Sequence, residues 1–102
     1  MTPERKVKES LINYLSSLKK SGVKIYYEAR EAGGFAYRKG LPDLWYIYNG
    51  HHVEIEVKAK GGQLSTMQLK WQEWFAKMNV ECYCISSLDE LRELIERQGP
   101  IT

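Results

Sequence analysis

The feature that most constrains the fold is a β-hairpin pattern in the middle of the chain. Residues 43–48 (DLWYIY) have strand composition, and Asn49-Gly50 is a strong signal for a two-residue hairpin turn. Residues 52–58 (HVEIEVK) alternate strictly between polar and apolar side chains. Because side chains alternate across a strand, we expect an antiparallel pair with one apolar and one polar face. The apolar face would carry Val53, Ile55 and Val57, and the polar face His52, Glu54, Glu56 and Lys58.

Further helices and strands are indicated on both sides of this hairpin. Ser65 and Gln68 fit a capping box that begins a second helix, and Gly99-Pro100 ends a third. The order α-β-β-β-α-β-α predicts an α/β fold, a mixed sheet with helices packed against it. No linker or repeat divides the chain, so residues 1–102 should form one domain. The remaining elements are expected at residues 3–20 (helix), 24–28 (strand), 66–78 (helix), 81–85 (strand) and 87–98 (helix).

Composition and charge exclude several classes of protein. With 43% hydrophobic residues and a net charge of +2, the chain does not have the signature of disorder. No apolar run would span a bilayer, and the N-terminus is too charged for a secretory signal, so we expect a cytoplasmic protein. The charge is uneven: residues 1–40 carry nine Lys/Arg and four Glu, whereas residues 41–102 carry six Lys/Arg and nine Asp/Glu. This split is compatible with a nucleic-acid partner without requiring one.

Three acids and a lysine form the constellation that could carry chemistry. Asp43 begins one hairpin strand, and Glu56 and Lys58 share a face of the other, so two carboxylates would meet beside an ammonium group. Such a site suits Mg²⁺ or Mn²⁺ and phosphodiester hydrolysis. Glu4 lies on the apolar side of the first helix, where a carboxylate needs a partner or a cation. Gln68 lies near enough to reach the site.

Each of these residues also has a purely structural explanation. The acids and the lysine of the third strand would then be a solvated face with a cross-strand ion pair. Glu4 would be a favourable charge at a helix N-terminus, and Gln68 would serve only the capping box.

The order of these residues resembles the VRR-NUC nuclease family, in particular its small stand-alone members from bacteriophages and prophages. The resemblance runs from Glu4 to about Ile85, on Glu4-x-x-Val7, Gly40-Leu41-Pro42-Asp43, Glu56-Val57-Lys58 and Gly61-Gly62-Gln63-Leu64-Ser65-x-x-Gln68. It implies the PD-(D/E)XK superfamily and its restriction-endonuclease-like fold. The expected activity is a Mg²⁺- or Mn²⁺-dependent, structure-specific endonuclease acting on branched DNA, such as a Holliday junction, a flap or splayed arms.

The resemblance also assigns roles to individual residues. Asp43, Glu56 and the backbone carbonyl of Val57 would bind the metal ion, and Glu4 would join them directly or through water. Lys58 would position the attacking water, and Gln68 would be the glutamine on the following helix. Beside these, cations and loop aromatics are candidate DNA contacts, namely Arg38, Lys39, Tyr37, Phe35, Lys60 and Lys70. Trp71, Trp74 and Phe75, at helical spacing, are instead expected in the core.

Two other functions remain open at this point. His51, His52, Cys82 and Cys84 are residue types that bind zinc, although their spacing is poor. The chain could also be a catalytically inert DNA-binding accessory subunit with a nuclease fold. Cutting two strands symmetrically would require two copies, so we expect a homodimer, formed through an exposed hairpin face bearing Tyr46 and Tyr48 or through the last helix.

Overall fold

Three helices and four strands follow one another in the predicted order. The computed structural model describes residues 1–31 and 38–101. Within these ranges no helix is long and apolar enough to cross a membrane. The order α-β-β-β-α-β-α is confirmed. The elements are α1 (Pro3–Lys20), β1 (Ile25–Ala29), β2 (Leu44–Tyr48), β3 (His51–Val57), α2 (Thr66–Lys77), β4 (Glu81–Ile85) and α3 (Leu88–Gln98).

The four strands form one mixed sheet in the order β1-β2-β3-β4. The first three are antiparallel neighbours, and β4 pairs parallel to β3. A parallel pair needs a crossover connection, which α2 provides. The hairpin turn is tight because Asn49 and Gly50 both adopt the left-handed conformation, with φ of 49° and 82°. The predicted antiparallel pairing of β2 with β3 is confirmed.

The hydrophobic core lies between one face of the sheet and the helices α1 and α3. As predicted, Val53, Ile55 and Val57 face this core and are fully buried. They form one cluster with the apolar residues of the helices. From the helices, Leu11, Leu15, Leu18, Leu91, Leu94 and Ile95 are buried.

The expected exposure of Tyr46 and Tyr48 is wrong. The register of β2 points both rings into the core, where Tyr46 is fully buried and Tyr48 is 6% exposed. The Tyr46 hydroxyl donates a hydrogen bond to Gln98 Oε1 at 2.5 Å, and the Tyr48 hydroxyl donates to the carbonyl of Pro100 at 2.6 Å. These two rings therefore cannot form a hairpin surface for a second copy of the chain.

The expectation that the α2 aromatics lie in the core is also wrong. In the described structure α2 buries none of its residues, and Trp74 is 54% exposed. Trp71 and Phe75 are half-buried, with ring centroids 5.8 Å apart. The reason is that α1 and α3 complete the core, whereas α2 packs against β4 at the edge of the sheet.

We predict that Tyr46→Phe lowers the free energy of unfolding by about 1–3 kcal/mol, because Gln98 Oε1 then loses its donor in a buried position. The matched control is Tyr26→Phe, since the Tyr26 hydroxyl bonds to Glu28 at the surface. This control should change stability by less than about 0.5 kcal/mol. Urea denaturation measures both variants, and equal effects would contradict the prediction.

Candidate active site

The sheet register brings Asp43 and Glu56 together although thirteen positions separate them. Leu44 pairs with Ile55 across the hairpin, so the residues beyond each, Asp43 and Glu56, lie side by side. Their carboxyl groups are within hydrogen-bonding reach of each other. Asp43 Oδ2 also accepts the backbone N–H of Val57 at 3.0 Å, which fixes its position at the end of β3.

Glu56 is held in an environment that disfavours its negative charge. Its side chain is 2% exposed, and burial, followed by the charge and hydrogen bonding of Asp43, raises the pKa of Glu56 to about 8. Oε1 accepts a hydrogen bond from Gln68 Nε2 at 2.8 Å. Oε2 is buried and receives no hydrogen bond from any described residue. A buried oxygen without a donor is costly, and either a proton shared with Asp43 or a bound cation would satisfy it.

Lys58 brings the positive charge of this site. Its side chain is 16% exposed, and its Nζ lies 3.8 Å from Glu4 Oε1. The Lys58 charge also acts on Glu56, where it favours the ionised form. The three predicted residues of the hairpin, Asp43, Glu56 and Lys58, are thus brought together at one end of the sheet.

Glu4 does not point into the core as expected. Its side chain is 48% exposed, because the first turn of α1 extends past the core to the rim of a cleft. There its carboxylate is paired with Lys58 instead of buried among apolar residues. Glu4 therefore reaches the site through the lysine.

Gln68 serves both of the roles considered for it. It completes the predicted capping box of α2, with Oε1 accepting the N–H of Ser65 at 2.8 Å, and its Nε2 donates to Glu56. The loop before Asp43 packs closely against this end of α2. Gly40 has φ of +84°, and a Cβ there would lie 2.7 Å from the Cβ of Met67, so only glycine fits without displacement.

Glu54, which precedes Glu56 on the same face of β3, is already paired. Its carboxylate, 2% exposed, accepts hydrogen bonds from Arg30 Nη1 at 2.6 Å and is 2.8 Å from His52 Nε2. The alternative of a solvated strand face is therefore wrong for both acids. Since Glu54 is paired with the Arg30 guanidinium and Glu56 has an unsatisfied oxygen, Glu56 is the better cation ligand.

Sequence reasoning missed two cations, Lys8 and Arg30. Lys8, 9% exposed, donates from Nζ to the carbonyl of Arg30 at 3.0 Å, and Arg30 Nη1 donates to the carbonyl of Pro42 at 2.9 Å. Both line a cleft of about 220 Å³ together with Glu4 and Asp43. The spacing of Glu4 and Lys8, four residues on one helix face, is a signal that could have found Lys8. No pattern in the sequence singles out Arg30.

Of the candidate DNA contacts in the described structure, Arg38, Lys39 and Lys60 lie in loops and Lys70 lies on α2. Arg38, Lys39, Lys60 and Lys70 are exposed. Tyr37 and Phe35 fall outside the described residues. The carbonyl of Lys39 accepts a hydrogen bond from Trp71 Nε1 at 3.0 Å, so the loop of Lys39 is fixed against α2.

The zinc-binding alternative finds no support in the described residues. His51 lies 2.6 Å from Glu81 and points to the opposite face from His52, which contacts Glu54. Cys82 and Cys84 are free thiols. In residues 1–31 and 38–101 no three side chains of His, Cys, Asp or Glu form a group that could hold a metal ion.

Two carboxylates and one carbonyl nevertheless fit a hard divalent cation. The carboxyl groups of Asp43 and Glu56 lie within hydrogen-bonding reach of each other, and Asp43 and Val57 line the cleft of about 220 Å³. Mg²⁺ is commonly held by one or two carboxylates, with water and substrate phosphate completing its shell. The unsatisfied Oε2 of Glu56 is the observation that favours this fit.

The protein is a four-stranded mixed sheet flanked by helices, with Asp43 just before β2 and Glu56 near the end of β3. A solved structure described as a VRR_NUC domain has the same fold. It superimposes with a TM-score of 0.72 at 24% sequence identity, covering 94% of this chain and 97% of that one. No protein-family model and no curated protein matches the sequence. The fold that the resemblance implied is therefore confirmed.

We predict that Glu56→Gln stabilises the metal-free protein, and more at pH 8–9 than at pH 5. The folded pKa of Glu56, about 8, exceeds the ordinary value of 4.5, so the folded state holds a proton that the unfolded state has lost. Stability therefore falls as pH rises from about 4.5 to 8, and a neutral amide removes this loss. Thermal melting in EDTA across this range measures the effect, and a gain independent of pH would contradict it.

Proposed function

We propose that this protein is a metal-dependent nuclease that hydrolyses phosphodiester bonds in DNA. The observation that carries the proposal is the contact between Asp43 and Glu56, with a buried oxygen lacking a donor and Lys58 on the same face. Two carboxylates in contact beside an ammonium group are the parts that such hydrolysis requires. The VRR_NUC fold supports the proposal.

In this proposal Asp43, Glu56 and the carbonyl of Val57 hold a Mg²⁺ or Mn²⁺ ion. When bound, the ion would polarise the phosphate and lower the pKa of a coordinated water. It would also neutralise the two acids, which otherwise repel the DNA backbone.

The chain's own residues position the other reactants. Lys58 orients the attacking water and stabilises negative charge on the phosphate, and Glu4 holds the Lys58 ammonium near the cleft. Gln68 fixes the orientation of Glu56. Lys8 and Arg30, which line the cleft, attract the phosphate by charge.

The proposed substrate is branched DNA, such as a Holliday junction, a flap or splayed arms. Arg38, Lys39, Lys60 and Lys70 are exposed and would contact backbone phosphates, with Tyr37 meeting an unstacked base. The described residues form one such centre per chain, so a symmetric cut of both DNA strands would use a homodimer. The proposed location of the protein is the cytoplasm. Sedimentation analysis tests the homodimer.

We predict that Lys58→Ala lowers the rate of Mn²⁺-dependent cleavage by at least about 100-fold, because the water loses the group that orients it. The melting temperature should change little, since Lys58 is not a core residue. The control is Lys24→Ala, a lysine at the opposite end of the sheet. The assay follows end-labelled four-way junctions, flaps and continuous duplex, each with and without Mn²⁺. Wild-type protein that binds these DNAs but cuts none would favour the inert accessory subunit instead.

We predict that Mn²⁺ raises the melting temperature of the wild type and not that of Asp43→Asn. At a metal concentration about 100 times the dissociation constant, binding should add about 2.7 kcal/mol of stability. The asparagine keeps an oxygen that accepts the Val57 N–H, so the fold should survive while the charge is lost. The control, Asp89→Asn, alters an acid that is 86% exposed, and its response to Mn²⁺ should match the wild type.

A further inference from the structure

Helix α2 presents apolar side chains to solvent beside the candidate active site. Trp74 is 54% exposed, and Met67 and Met78 are 38% and 47% exposed. Single exposed apolar residues are common, but a contiguous exposed patch of this kind marks a binding site more often than a neutral surface. The capping box already accounts for the beginning of the helix, so these side chains are not needed to start it.

These side chains line a shallow, open groove along one face of α2. Met67, Lys70, Trp71 and Trp74 line a space of about 250 Å³ that is almost entirely apolar. The Trp71 ring is held by its hydrogen bond to the Lys39 carbonyl and by its contact with Phe75. A large apolar ligand would therefore meet a preformed surface on the Trp71 side and the exposed Trp74 ring on the other.

The groove is continuous with the candidate active site. Gln68, one turn before Trp71 on the same helix, donates to Glu56. Met67, at the mouth of the groove, contacts Gly40, three residues before Asp43. With a rise of about 1.5 Å per residue, Trp74 lies roughly 9 Å along the helix from Gln68. A strand with a phosphate at the acids would thus place a nearby nucleotide, not the scissile phosphate itself, at the groove.

The charges around the groove favour an anionic ligand. Lys70 and Lys77 are seven residues apart, two helical turns, and flank Trp74, with Glu73 beside them, so α2 carries a net charge of +1 here. Lys39, whose backbone carbonyl accepts a hydrogen bond from Trp71 Nε1, adds a second positive side chain near this face. A nucleic-acid strand brings phosphates to the lysines and an apolar base to the groove.

We propose that this groove binds an unpaired nucleobase of the DNA, stacked on Trp74, next to the phosphate that is cut. The inference rests on the proposed function and identifies the unpaired base as the feature of branched DNA that the enzyme would recognise. Aromatic stacking accepts any base, so this recognition is independent of sequence. A base that remains paired within a continuous duplex cannot enter the groove, so the site separates DNA with unpaired nucleotides from continuous duplex.

The test compares two labelled DNAs of equal length, a duplex with one single-stranded arm and a continuous duplex, by fluorescence anisotropy in Ca²⁺. The variant Trp74→Leu keeps apolar bulk but removes the stacking face. We expect it to lose about tenfold in affinity for the armed duplex, the equivalent of stacking one base, and less than about twofold for the continuous duplex. The control is Tyr26→Ala, an aromatic residue of similar exposure on the sheet, which should change neither affinity.

Two further measurements make the outcome decisive. Intrinsic tryptophan fluorescence of the wild type should be quenched by a single-stranded thymidine oligonucleotide, and less so in Trp74→Leu. Equal affinity losses on both DNAs, or none, would overturn the proposal. So would a wild-type dimer that dissociates in Trp74→Leu with its preference for the arm intact, since the face would then be an interface between copies. If the wild type cuts no DNA yet shows a Trp74-dependent preference for the arm, the nuclease assignment fails and the base-binding groove stands.

Discussion

The structure depends on one unfavourable contact, the two carboxyl groups of Asp43 and Glu56 held against each other. The contact follows from the register of β2 and β3. This register is fixed by the fully buried pair Leu44 and Ile55, which lies one residue further into the sheet. A one-residue slip would turn the apolar side chains of either strand out of the core, so the core prevents the acids from separating. The raised pKa of Glu56 and its unsatisfied oxygen show the electrostatic penalty. Such a penalty persists only where the surrounding structure enforces it, and a cation at this position, as proposed, would relieve it.

The residues around Asp43 and Glu56 come from distant parts of the chain, and each is held there by a specific interaction. Arg30 bonds to both Glu54 and the carbonyl of Pro42, so the end of β1 holds the residue before Asp43. On the other side, Gln68 connects α2 to Glu56. The two acids of β3 thus differ in partners: Glu54 is paired with the Arg30 guanidinium, whereas Glu56 lies beside another acid. This difference, and not the spacing alone, separates a structural carboxylate from a candidate ligand.

The features that could be predicted from the sequence are those that depend on residues close together in the chain. The alternation of β3, the Asn49-Gly50 turn and the capping box of α2 each depend on a few neighbouring residues, and all are present. The meeting of Asp43 with Glu56 also followed from the hairpin. Tertiary packing decided the rest. Alternation does not say which face of β2 the helices cover, and Tyr46 proved to be inside. An apolar stripe on a helix likewise does not show whether another element covers it. The role of Arg30 is apparent only from the fold, which brings its guanidinium to Glu54.

The exposed face of α2 follows from the small size of the hydrophobic core. A chain of 102 residues closes one face of its sheet with α1 and α3, and this cluster contains the fully buried side chains of both helices and of the hairpin. Helix α2 must still exist, because the parallel pairing of β3 with β4 requires a crossover. Its position is set by the capping box, by Gly40 against Met67 and by Trp71 on the Lys39 carbonyl, none of which needs the ring of Trp74. That ring is therefore free of a structural task, on a helix that also contacts Glu56, which is where a ligand of the candidate site would meet it.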